Sequence, residues 1–263
     1  MVSIQDRIVL VTGASSGIGS ACARVFARSG AKVILVARRR ERLEQLAVEL
    51  STQTEIHLLQ LDVRVSEAAR GSEHRSHVES ALSSLPEPWS SVDILINNAG
   101  LSRGLDKLHE GSIEDWEEML DTNIKGLLYV TRSLVPGMVS RGRGHVVNMG
   151  SIAGHQTYPG RLVYCASKAA VRAISEGLKQ DLLGTPVRVS SVDPGMVETE
   201  FSQVRFHGES DRAKQVYSGL TPLTPEDIAD VVFFCVTRPP HVNISEVLLV
   251  PTDQASATLV YRR

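Results

Sequence analysis

Seven short apolar runs punctuate the chain: RIVLV (7–11), KVILVA (32–37), IHLLQLDV (56–63), VDILIN (92–97), HVVNMG (145–150), VRVSSV (187–192) and EVLLVP (246–251). Their apolar positions are consecutive rather than alternating, and a strand of that kind has to be covered on both faces. Between them, 18–29, 40–50, 114–140 and 162–184 are rich in helix formers with apolar positions at helical spacing, and Gly30 is placed to stop the first of these helices. Strands alternating with helices predict an α/β fold, a Rossmann-type doubly wound parallel sheet of seven strands in a single domain over 1–263. The polar segment 64–91 reads as a surface helix with a loop and carries no recognisable chemistry. Residues 200–220, with Gly, Arg and Ser and little periodicity, predict a flap over a substrate rather than a core element.

Composition narrows the setting. A chain of 263 residues buries a full core, and 42% hydrophobic with 22% charged residues is ordinary for a globular protein. A formal net charge of −2 argues against a polyanion-binding surface and hence against nucleic acid, the block RRRER at 38–42 being local. Cys22, Cys165 and Cys235 are odd in number and widely spaced, without a CxxC pair, which speaks against a disulfide framework and against a zinc site; no metal is expected. The N-terminal apolar run is about five residues long before a glycine-rich turn, unlike a signal peptide. No stretch approaches the roughly 20 apolar residues that span a bilayer. A soluble, cytoplasmic protein is the expectation.

The first run leads into TGASSGIG (12–19) and then a helical segment. Gly13, Gly17 and Gly19 let the backbone turn sharply and approach a pyrophosphate, and the helix N-terminus that follows offers unpaired N–H groups and a partial positive charge. In that context Gly13, Ser15, Ser16, Gly17, Ile18 and Gly19 predict a dinucleotide cradle, spaced GxxxGxG rather than GxGxxG. The second run ends in Ala37-Arg38-Arg39, where a 2′-hydroxyl would call for a carboxylate and a 2′-phosphate for cations. Arg38 and Arg39 therefore point to NADP(H), with Arg40 and Arg42 read as the solvated start of a helix. Asp62 and Val63, closing the third run, are placed to meet the adenine. Asn98, Ala99 and Gly100, closing the fourth, are placed beside the adenosine ribose.

YCASK (164–168) puts Tyr164 and Lys168 four residues apart, on one face of a helix. A tyrosine hydroxyl is a poor base near neutrality unless a neighbouring cation favours the phenolate. Together, TGASSGIG, NNAG (97–100), the serine of NMGSIAG (148–154), YCASK and DPGMVET (193–199) resemble the short-chain dehydrogenase/reductase family, in the family's order and over nearly the whole chain. The resemblance implies that Tyr164 exchanges a proton with the substrate oxygen, that Ser151 holds that oxygen, and that Lys168 supports Tyr164 and bonds the nicotinamide ribose. It further implies that Asn123 holds a water in a proton relay and that Pro194, Gly195, Val197 and Thr199 orient the nicotinamide carboxamide. Cys165 faces another side of the helix and reads as packing.

The last third, with VETEFSQVRFHGESDRAKQVY (197–217), LTPEDIADVV (223–232) and HVNISEVLLVPTDQ (241–254), resembles the NADP-dependent 3-hydroxy acid dehydrogenases, a group that includes enzymes acting on serine and allo-threonine. Such substrates carry a carboxylate that needs a cation. Arg205 is the candidate, a salt bridge to another loop or a partner subunit being the alternative. The same resemblance implies a homotetramer with the apolar final strand and tail at an interface. Two rival activities stay open. One is a short-chain reductase of other carbonyl compounds, such as 3-oxoacyl thioesters or small ketones and aldehydes. The other is a non-catalytic NADP(H)-binding module, against which the retained serine, tyrosine and lysine argue.

Overall fold

The computed structural model describes residues 2–64, 77–206, 211 and 215–263. All seven apolar runs form strands of one sheet: β1 (Ile8–Thr12), β2 (Lys32–Ala37), β3 (Ile56–Gln60), β4 (Ile94–Asn97), β5 (Gly144–Met149), β6 (Val187–Pro194) and β7 (Glu246–Leu249). Their order is β3-β2-β1-β4-β5-β6-β7, and every pairing is parallel. The order reverses direction between β1 and β4, which opens a crevice at the carboxyl ends of the strands.

The reason for the continuous apolar runs is visible in β1. Val9 and Val11 face one core, with Cys22 and Phe26 of α1 (Gly17–Arg28), Leu43 and Leu46 of α2 (Arg40–Leu50), and Ile228 and Val232 of a C-terminal helix. Ile8 and Leu10 face the other, with Val78 and Leu82 of α3 (His77–Ser83) and Val130, Leu134 and Met138 of α5 (Leu127–Ser140). Alternate residues of one strand thus serve two cores. Burying a leucine- or valine-sized side chain on each side contributes roughly 1.5–3 kcal/mol per residue before entropy is counted.

The helices depart from the sequence expectation in two places. The stretch expected as one helix over 114–140 is α4 (Ile113–Leu120), a π-helical turn (Asp121–Gly126) and α5. Gly126 sits against Val63, and a Cβ there would lie 2.7 Å from a Val63 methyl, so the widened turn lets the helix pack close to the loop after β3. The C-terminal helix, α8 (Pro225–Val236), was not assigned from sequence. Thr224 caps it, accepting from Asp227 N at 3.2 Å while the Asp227 carboxylate accepts from Thr224 N at 2.8 Å, with Pro225 in the first turn.

α6 (Leu162–Asp181) follows a 3₁₀ turn (Ile152–Gly154) after β5, and α7 (Phe201–Arg205) follows β6. The predicted surface helix in 64–91 is described only over α3 and its following loop, residues 65–76 lying outside the described residues. Of the segment 200–220 expected as a flap, α7, 211 and 215–220 are described, and 207–210 and 212–214 likewise lie outside the described residues. α7 corrects one detail of the flap. Ser202, Arg205 and Phe206 are buried, so its first part is packed rather than loosely laid over the surface.

Candidate active site

A cleft of about 400 Å³ opens at the carboxyl ends of the strands. Gly13, Ser15, Ser16, Gly17, Ile18, Arg38, Arg39, Asp62, Val63, Asn98, Ala99, Gly100, Ser151, Tyr164, Lys168, Pro194, Gly195, Val197, Thr199 and Arg205 all line it. Of the site residues expected from sequence, Gly19 and Asn123 lie behind that lining.

Gly13 has a left-handed φ of 66°, and a Cβ there would lie 2.9 Å from Asn98 Nδ2 and 3.0 Å from Ala99 Cα. A Cβ on Gly19 would run into the Gly13 carbonyl oxygen. The two glycines let the turn after β1 fold onto itself and onto the end of β4, leaving the cradle clear. Thr12 fixes that junction: its hydroxyl accepts from Asn98 N and Ala99 N at 3.0 Å each, and its carbonyl accepts from Asn98 Nδ2 at 3.0 Å.

At the end of β2 the two arginines separate. Arg39 turns to the cradle, donating to Ser15 Oγ at 3.1 Å and to Ser16 Oγ at 2.8 Å, and pairs with Glu200 at 3.0 Å. Arg38 leans the other way, 3.8 Å from both Asp62 and Glu118. Arg42, expected to be merely solvated, also reaches Glu200, at 3.2 Å, whereas Arg40 makes the helical pair with Glu44 at 2.7 Å. The Glu200 carboxylate between Arg39 and Arg42 shows that an anion is accommodated beside the cradle serines. Asp62 is gripped by Arg64, with contacts of 2.7 and 3.0 Å. Burial works to raise its carboxyl, and the Arg64 guanidinium, with Arg38 further off, outweighs burial and holds it below the usual carboxylate range. With no acid at Ala37, glycines that keep a backbone cradle open and two guanidiniums on its rim, these residues fit NADP(H).

The reacting end is built from the ends of β5 and β6 and the first turns of α6. Tyr164 and Lys168 lie one turn apart on α6 and are both buried, as is Ser151. Lys168 Nζ sits 6.0 Å from the centre of the Tyr164 ring and donates to Met149 O at 2.8 Å. Burial lowers Lys168 to about 8, with Asp193 pulling the other way. Asp193 in turn meets His155 Nε2 at 2.7 Å and Ser191 Oγ at 2.6 Å. Tyr164 is pushed up to about 12 by burial; the leading groups that offset it are the Ser151 hydroxyl and then Arg205. From sequence the role of drawing the phenol down falls to Lys168; in the structure the leading groups that work against burial are Ser151 and Arg205 instead.

Asn123 occupies the π-helical turn. Its side chain spans Leu101 on both sides, accepting from the amide at 2.9 Å and donating to the carbonyl at 2.8 Å, and donates to Ser167 Oγ at 3.0 Å. Ser167 donates to Tyr164 O at 2.7 Å, so Asn123 ties the loop after β4 to the turn of α6 that carries Tyr164 and Lys168. Cys165 packs with Leu101, Met119 and Ala153, as its place on the helix implied.

Arg205 is 7% exposed, lies 5.1 Å over the Phe201 ring and has its Nε buried without a partner; no carboxylate pairs with it among the described residues. Burial, then the Arg161 guanidinium, push it down to about 10, while the Tyr164 phenol pulls up. Several lining residues carried no assignment from sequence: Tyr158, Arg161, Glu200, Phe201 and Gln254. Gln254 is the clearest, since its Oε1 accepts from Met196 N at 2.9 Å and sits where any Cβ at Gly195 would have to be.

The match to the short chain dehydrogenase family model spans residues 7–210, and the chain belongs to that family. It is 48% identical over 257 residues to the NADP-dependent 3-hydroxy acid dehydrogenase YdfG of Salmonella typhi, covering 97% of this chain and 99% of that protein. It is 45% identical over 252 residues to sulfoacetaldehyde reductase 2 of Chromohalobacter salexigens, covering 95% and 96%. Among solved structures it is similar to the closed form of serine dehydrogenase complexed with NADP⁺, with a TM-score of 0.88 and 47% identity over 97% of this chain and 99% of that one.

Proposed function

We propose that this chain is an NADP-dependent oxidoreductase acting between a 3-hydroxy acid, of the serine, allo-threonine or 3-hydroxypropionate kind, and the matching oxo compound. The observation that carries the substrate class is the buried guanidinium of Arg205, without a carboxylate partner among the described residues, beside Tyr164 in one cleft. In a 3-hydroxy acid the carboxylate lies two carbons from the carbon that reacts, a short span that suits a cation set beside the catalytic phenol. The similarity to a 3-hydroxy acid dehydrogenase over nearly the full length supports the same class.

NADP(H), when bound, supplies or takes up the hydride at the nicotinamide. Tyr164 Oη gives a proton to the substrate oxygen in reduction and removes it in oxidation. Ser151 hydrogen-bonds the same oxygen, a role worth about 2–4 kcal/mol where such donors have been removed from oxyanion sites. Lys168, held by Met149 O, provides the ammonium beneath the phenol. Asn123 keeps the loop after β4 against α6, and Arg205 takes the carboxylate. The working form is a cytoplasmic homotetramer. Supporting this, β7 is a sheet edge with Leu248 exposed, and Leu259 and Tyr261 of the tail are exposed beside it in sequence.

Arg205→Ala separates this activity from a general carbonyl reductase. With a 3-hydroxy acid its KM should rise by roughly tenfold or more, corresponding to one lost charge-assisted pair of about 1.5–3 kcal/mol, and an uncharged alcohol or aldehyde of similar size should be nearly unaffected. Steady-state kinetics on both substrates decide it. Equal losses would make Arg205 a packing residue of α7.

A further inference from the structure

Arg205 does not stand alone in the cleft. Arg161, the residue before α6, lines it too, its guanidinium over the Tyr158 ring at 5.4 Å from the ring centre. It makes no ion pair among the described residues. Among the described residues most arginines do find an acid: Arg24 has Glu49, Arg64 has Asp62, Arg103 has Glu118 and Arg143 has Asp93. Two guanidiniums that face one cleft with no carboxylate partner among the described residues form an arrangement that costs free energy in the absence of an anion, because like charges repel and the burial of Arg205 removes water that would screen it. The repulsion is felt at Arg205, which Arg161 helps to push down. The aromatic rings under them, Tyr158 and Phe201, offset part of that cost and hold each cation in place. Neither ring can neutralise it.

We propose that Arg161 and Arg205 are two arms of one anion clamp, and that it selects substrates whose anionic group carries two negative charges, such as a phosphonate or a second carboxylate, over singly charged ones of the same shape. A monoanion between the arms leaves one positive charge uncompensated, whereas a dianion neutralises both. This ranks hydroxy acids with a doubly charged anionic end above singly charged serine, allo-threonine and 3-hydroxypropionate, and it rests on the proposed function for the nature of the reacting group. The anion selectivity itself is read without turnover.

The test uses two non-reacting probes of nearly one shape, methylphosphonate and methanesulfonate, at mildly alkaline pH where the first is doubly and the second singly charged. Each is titrated calorimetrically into the protein saturated with NADPH, at fixed ionic strength. The parent protein should bind the phosphonate at least about tenfold more tightly than the sulfonate. Arg161→Ala and Arg161→Gln, the second keeping part of the stem packed on Tyr158, should bring the two affinities to within about twofold of each other, and Arg161→Lys should keep part of the preference. Thermal melting reports whether each variant is folded. Equal binding of the two probes by the parent overturns the proposal, whatever the variants do. So does an unchanged ratio in the folded Arg161 variants. Because neither probe reacts, a failure to oxidise 3-hydroxy acids would count against the proposed function and leave this result standing.

Discussion

Tyr164→Phe is expected to lower kcat by about 10²- to 10⁴-fold while NADPH affinity stays within about twofold, the range set by the loss of a positioned proton donor and acceptor. The substitution removes only the hydroxyl, and the ring keeps its contacts with Phe201 (5.8 Å between centroids) and with Leu101, Ala153 and Cys165. In the oxidation direction the parent should speed up as pH rises, because only the deprotonated phenol accepts the substrate proton and burial holds Tyr164 at about 12 in the free protein. The phenylalanine variant should lose that rise. Lys168→Ala is expected to act differently, harming turnover and NADPH affinity together, since its ammonium is anchored on Met149 O at the floor of the cleft. If Tyr164→Phe retained most of the activity, α6 would be a structural helix and the proton would come from elsewhere.

The second large effect concerns the cofactor. The parent should favour NADP⁺ over NAD⁺ by at least about tenfold in kcat/KM, and Arg38→Ala with Arg39→Ala together should abolish the preference, each charge-assisted contact being worth about 1.5–3 kcal/mol. The two are not equivalent. Arg39 is tied to Ser15 and Ser16 of the cradle and should matter more, whereas Arg38 leans on Asp62 and Glu118 and should matter less. Steady-state kinetics with both dinucleotides check this. Equal use of the two by the parent would show that the guanidiniums at the end of β2 serve only Glu200, Asp62 and Glu118.

Both sets of residues were legible before any coordinates, because the constraints on them are local. The glycine cradle needs backbone freedom at fixed offsets, Tyr164 and Lys168 need one helical turn between them, and buried parallel strands need unbroken apolar runs. The π-helical turn at Asp121–Gly126 was not legible, and Gly126 in it packs against Val63, far away in the chain. α8 is a different case: Thr224, Pro225 and Asp227 spell out a helix start, a local signal that the apolar-run pattern passed over. Arg161 and Tyr158 carried no signal at all. They become meaningful only once α6 and α7 bring them to one wall of the cleft with Arg205. The pairing of Glu200 with Arg39 and Arg42 likewise depends on the loop after β6 returning to the end of β2. Short-range chemistry can be read along a chain, and charge balance across a cleft cannot.

Following NADPH absorbance, the parent protein should be mixed with NADP⁺ and, in turn, with serine stereoisomers, allo-threonine, 3-hydroxypropionate and uncharged alcohols of the same size. Rapid NADPH formation with at least one 3-hydroxy acid, and a kcat/KM at least about tenfold lower for its uncharged counterpart, is the expected result. Turnover of uncharged alcohols or ketones with none of the acids would contradict it, and would leave the protein a short-chain reductase whose Arg205 has another purpose.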